Sequence, residues 1–188
     1  MNAYRGFAAG VLFCLAAWSL IDFGPTTLAA DKPADGKSVV KLNDGKLTLV
    51  APDAWQVKAP ANRIIEYEFA LPASEGDEVD GRLTVMGAGG SVDANIDRWI
   101  QQFTQPDGKA TRERATIKEV KIAGQNVHLV DIAGTFADRR GPFAPAVNRE
   151  GYRMLGAIIV TDGAGQYFVK LYGPQKTIAA HQKGFDAF

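Results

Sequence analysis

Side chains able to do chemistry are sparse in this 188-residue chain, and none falls into a catalytic arrangement. It carries two histidines, His128 and His181, and one cysteine, Cys14. A metal site needs several converging ligands, and spacings such as HxxxH bring two of them onto one helix face. His128 falls in a strand pattern and His181 in a helical one, without a partner at that spacing, so both are read as structural. Asp131 follows His128 by three residues, which on a strand puts the two on opposite faces and rules out a direct dyad. Glu66 and Glu68 share a face at i, i+2, about 7 Å apart, where paired carboxylates can do acid–base work. Nothing around them in the sequence signals desolvation, so a solvated sheet face accounts for them. Ser74 and Ser91 lie outside any nucleophile-elbow sequence. Gly87-Ala88-Gly89-Gly90-Ser91 stands before a helix, where phosphates are often held, but lacks both GxGxxG spacing and the Lys-Ser/Thr of a P-loop. A glycine turn with a serine N-cap explains it.

The most conspicuous polar stretch is 137–151 (ADRRGPFAPAVNREG). Fifteen residues are many for a link between neighbouring strands. It holds Arg139, Arg140 and Arg149, and it sets Phe143 between Pro142 and Pro145. Arginine and an aromatic ring on a proline-stiffened loop recur where proteins hold partners. These four residues form the candidate partner-binding loop; the alternative is a surface loop whose Phe143 tucks onto the domain.

Length and composition bound what these residues belong to. The chain is long enough for one domain with a core. It is 46% apolar and 22% charged, as globular proteins are. Lys+Arg and Asp+Glu number 21 each, which argues against a nucleic-acid partner. The N-terminus differs in kind: Arg5 precedes an uncharged run over 6–21, Pro25 breaks it, and Leu28-Ala29-Ala30 offers small residues before Asp31. This is the layout of a signal peptide over 1–30, with export to the periplasm or beyond and no transmembrane segment after cleavage. The alternative is an uncleaved N-terminal anchor, for which the run is short. Cys14 lies in mid-run after Phe13, unlike a lipoprotein cysteine, and leaves with the segment. Loss of Arg5 and Asp22 then keeps 20 bases and 20 acids. The mature chain has no thiol for a disulfide, a nucleophile or a metal.

Residues 31–38 read as a flexible lead-in and 39–188 as one domain. A hairpin is expected over 39–50 around Asn43-Asp44-Gly45. Strands follow over 65–71 and 82–86. Val92, Ile96, Trp99, Ile100 and Phe103 make one apolar helical stripe, capped by Ser91 and ended by Pro106-Asp107-Gly108. Strands at 116–122 and 126–136, then 152–161 and 166–172, form two more hairpins. Gly173-Pro174 opens a last helix with Ile178, Phe185 and Phe188 on its buried side. The order ββ–ββ–α–ββ–ββ–α gives an α+β fold: a mainly antiparallel sheet of successive hairpins, with helices on its faces.

Ala51-Pro52-Asp53-Ala54-Trp55 after the first hairpin, the Gly-Gly before Asn95–Phe103, and the closing hairpin into Gly173-Pro174 together resemble exported bacterial proteins of the PsbP-like fold group. The resemblance spans most of 39–188 and rests on core residues and turns. It implies the fold, and a role such as that of photosystem assembly or stabilising subunits or of Ran-binding proteins. It carries over no catalytic residue set and no cofactor. The expected function is a non-enzymatic exported module that binds a protein or an envelope component. The alternative is a small-ligand binder or hydrolytic enzyme with a pocket between sheet and helix.

Overall fold

A computed structural model describes residues 38–139, 145–163 and 165–188. The proposed signal segment and all of the lead-in except Ser38 lie outside them, as do Arg140 and Phe143.

The first hairpin, β1 (Ser38–Leu42) and β2 (Leu47–Ala51), forms where expected and is a two-stranded sheet of its own. Its turn needs two left-handed residues, and Asn43 and Asp44 supply them at φ 51 and 54. The main sheet has eight strands, all pairings antiparallel. They are β3 (Gln56–Lys58), β4 (Tyr67–Leu71), β5 (Gly81–Ala88), β6 (Phe103–Thr104), β7 (Thr116–Ile122), β8 (Gln125–Asp138), β9 (Val147–Thr161) and β10 (Gly165–Pro174). Their order is β3-β4-β5-β10-β9-β8, and β6 and β7 share the far side of β8. The hairpin rule thus gives an α+β fold with helices α1 (Val92–Ile100), α2 (Thr111–Arg114) and α3 (Gln175–Ala187) against the sheet.

Alternation along each strand divides the core into two clusters, one on each face. On the first face Tyr67, Phe69, Leu83, Val85, Val169 and Leu171 meet the β1–β2 hairpin through Val40, Leu42 and Ala51, and α3 through Ile178. Trp55 joins them, its ring 5.3 Å from that of Phe188. On the second face Val130, Ile132, Phe136, Met154, Ile158 and Phe168 receive Ile96, Trp99 and Ile100 of α1. Ser91 caps α1, accepting from the Ala94 amide at 3.3 Å. The start of α3 is held from a distance: Asp77 accepts from both the amide (3.0 Å) and the hydroxyl (2.7 Å) of Thr177. Arg153 ties the other end of that helix down, donating to Asp131 at 2.8 and 2.6 Å and to Gln182 at 3.0 Å.

Two sequence expectations change. The stripe of α1 does not run through Phe103: the helix ends at Ile100, and Phe103 enters the core from β6, 5.1 Å from the Phe136 ring. The fifteen-residue connection shrinks as well. β8 continues through Asp138 and β9 begins at Val147, with Ala137 paired to Asn148 and Asp138 to Val147. Only 139–146 remain between the strands, because backbone pairing carries on past the last apolar residues.

Candidate functional site

The first face is incompletely covered. The β1–β2 hairpin and the end of α3 leave between them a pocket of about 510 Å³. Its floor comes from the middle strands. Ala157 lies between its cross-strand partners Leu129 and Val169, so the sheet is low at its centre. Val120 and Ile122 of the edge strand β7 extend that floor, Leu47 and Leu49 of β2 form one wall, and Phe185 and Phe188 form the other. The polar side chains at the lining are Thr48, Gln125 and Asp186. A hollow of this size lies within the roughly 300–1,000 Å³ of small-molecule sites. It favours apolar matter, because every apolar contact made there releases water from aliphatic and aromatic surface.

His181 stands just behind the aromatic wall and is fully engaged. Its Nδ1 accepts from the Trp55 indole at 3.3 Å, which leaves Nε2–H to donate to the Pro72 carbonyl at 3.0 Å. Both ring nitrogens serve to fix α3 against Trp55, so the imidazole has none left for a metal or a base. His128 and Asp131 lie on opposite faces of β8, and Asp131 belongs to Arg153. No group of three or more metal-ligating side chains occurs among the described residues.

On the second face the solvated carboxylates expected at Glu66 and Glu68 are instead engaged. Glu68 is not free: Arg82 donates to it from Nε (2.7 Å) and Nη2 (2.9 Å), and from Nη1 to the Tyr172 hydroxyl (2.5 Å). Burial pushes the Glu68 carboxyl up, but Arg82 and the Ala61 amide outweigh it and hold the carboxyl below its ordinary value. The Glu68 hydrogen bonds raise Arg82 against its own desolvation. Glu66 accepts from the Gly87 amide at 2.8 Å instead, which tightens the turn into α1. Beyond Arg82 lies half-buried Lys170, its Nζ 5.4 Å from the Phe136 ring centre, 5.3 Å from that of Tyr172, and hydrogen-bonded to Gln102. Desolvation, reinforced by the Arg82 charge and eased by Asp138, lowers this amine to about 8. Burial also raises the Tyr172 phenol, with Arg82 opposing.

Lys170 makes stability depend on pH in an uncommon direction. Its folded value lies below the unfolded lysine value of about 10.4, so between the two the unfolded chain holds a proton that the fold does not. Unfolding free energy therefore rises with pH through that window. In Lys170→Met the buried charge is absent at every pH. The gap between the urea midpoints of variant and wild type will shift in the wild type's favour from pH 7 to pH 9.5; a constant gap would contradict this.

Of the candidate loop, Arg139 is exposed just past the end of β8, and Arg149 is a β9 residue 3.7 Å from Asp138. Neither Arg140 nor Phe143 lies among the described residues. The structure thus pairs Arg149 within the sheet, and the grouping of the four residues lies outside what the described residues show.

No family model and no curated protein matches this chain. Among solved structures, the chain is similar to cyanobacterial PsbP (CyanoP) from Synechocystis sp. PCC 6803. The identity is 11%, the alignment covers 89% of this chain and 94% of that one, and the TM-score is 0.47. No helix among the described residues is long and apolar enough to cross a membrane.

Proposed function

We propose that this chain is an exported, non-catalytic binding module that takes the apolar part of a small amphiphile into the pocket between the sheet and α3. The observation that carries the reading is the pocket's chemistry: an open hollow of about 510 Å³ with aliphatic floor and aromatic wall, and three dispersed polar side chains. A hydrolytic site would need a nucleophile, a base and an orienting group within hydrogen-bond reach, and Thr48, Gln125 and Asp186 form no such chain. Export is supported by the N-terminal pattern over 1–30. The amphiphile would be an envelope component or a molecule carried across that compartment.

A dye that fluoresces in apolar surroundings, such as N-phenyl-naphthylamine, tests this directly. It will bind wild type and be displaced by decanoate. Val120 is half-buried on the edge strand β7, where β8 is its one strand neighbour and the pocket lies over its side chain. Val120→Trp places a bulky strand-forming residue on the pocket floor and will weaken dye binding at least about tenfold, a loss near 1.4 kcal/mol. Equal dye affinity in the two proteins, both folded by circular dichroism, would reject the pocket as the site.

A further inference from the structure

The main sheet ends in two unlike edges. At one, β3 has three residues, the shortness by which edge strands commonly escape pairing. Beyond β8, β7 runs for seven residues without proline or glycine, and β8 is its one strand partner among the described residues. In an antiparallel ladder alternate residues turn their N–H and C=O groups toward a given neighbour, so those of the intervening β7 residues point outward, away from β8. The side chains are bare as well: Val120 is half-buried and every other residue of the strand is exposed, Ile117 at 38% and Ile122 at 51%. Across the ladder Glu119 faces His128 and Lys121 faces Asn126, and among the described residues neither Glu119 nor Lys121 takes part in an ion pair.

The spacing of these charges selects an occupant for the edge. When two copies of one strand pair antiparallel about a two-fold axis normal to the sheet, each side chain keeps its face, so the axis falls between a residue and its own copy. An axis at Lys118, Glu119 or Lys121 sets a charge against itself, which is destabilising. An axis at Ile117 or Ile122, near the strand ends, leaves most of β7 unpaired. An axis at Val120 sets valine against valine and puts Glu119 of each copy opposite the partner's Lys121, two pairs of opposite charge on the face turned away from the apolar pocket. On the pocket face it sets Ile122 opposite the partner's Lys118, whose methylene stem can cover that exposed side chain. We infer that two copies of this chain join edge to edge through β7 in this register, making their main sheets one continuous antiparallel sheet. The contact is little more than a strand wide, below the area of tight complexes, so the dimer is reversible and depends on concentration. It does not rest on what the pocket binds, because Glu119 and Lys121 are not among the residues lining it.

Sedimentation of the full chain at low salt tests this surface. From about 5 µM to about 500 µM the weight-average mass will rise toward twice that of the monomer, with a Kd on the order of 100 µM. Glu119→Lys opposes two cations at each of the two charge pairs, and Lys121→Glu opposes two anions; each will weaken the dimer at least about tenfold. Combined in one chain, the two substitutions restore opposite charges, and dimerisation will return to within about threefold of the wild type. Both side chains are exposed, so all three variants will keep the wild-type melting temperature. Hydrogen exchange of the wild type gives a second reading should a variant fail to fold: the outward amides of β7 will exchange at least about tenfold more slowly at the high concentration than at the low one. A monomer at every concentration, a dimer insensitive to the single reversals, a folded double variant that stays monomeric, or β7 amides unprotected in the dimer would overturn the inference.

Discussion

Replacing Trp99 by alanine should cost this domain about 3–5 kcal/mol, about a fifth or more of the stability of an ordinary domain. The indole is 5% exposed, lies edge-on to Phe168 at 5.2 Å, and joins α1 to the second sheet face. The sheet has been shaped to receive it. At Gly156 in β9 a Cβ would stand 2.4 Å from the Trp99 ring, closer than any side chain can approach. Gly156 therefore exists as the socket for this indole, and the two positions are coupled. Gly156→Ala alone will be destabilising by overpacking, whereas in a Trp99→Ala background the added methyl meets empty space and its cost will largely vanish. Urea denaturation of the two single variants and the double variant measures this. Additive losses would mean that α1 does not dock through Trp99.

Gly134→Ala should be the next most damaging single change, at about 3 kcal/mol, the upper end of what overpacking costs. The residue sits at φ 150, and a Cβ there would lie 2.6 Å from the Thr104 carbonyl oxygen. That atom is backbone, so it cannot rotate aside. Gly134 also begins the register shift in β8 that brings Phe136 opposite Arg149 and carries Asp138 toward Lys170. The variant will melt lower and its Lys170 and Tyr172 amide signals will move. An unchanged melting temperature would contradict the close approach of β6 to this bulge.

Local signals gave what local physics decides. Alternation at 67–71 and the stripe of Val92, Ile96, Trp99 and Ile100 foretold a strand and a helix, because burial of one face requires those periods. Asn43-Asp44-Gly45 foretold its turn through positive φ. The extension of β8 and β9 past Ala137 was hidden, since Asn148-Arg149-Glu150 have no strand pattern and pair only because their partner strand is already aligned. The pocket was hidden too, being a gap between elements as distant in the chain as β2 and the end of α3. One signal for the buried amine of the second face was in reach. Lys170 stands in alternation with Phe168 and Tyr172, on the face of β10 that packs against the apolar second cluster, where a charge calls for an explanation. Its partners on β4, β5 and β8 could not be named without the strand order.

The most direct test of the apolar pocket is a methyl spectrum of the protein titrated with decanoate. Uptake between the sheet and α3 will shift the methyl signals of Leu49, Val120, Leu129 and Ile159, which line the pocket, and leave those of Ile96, Ile132 and Ile158 on the opposite face in place. Stationary pocket methyls at saturating decanoate, or equal movement on both faces, would contradict it.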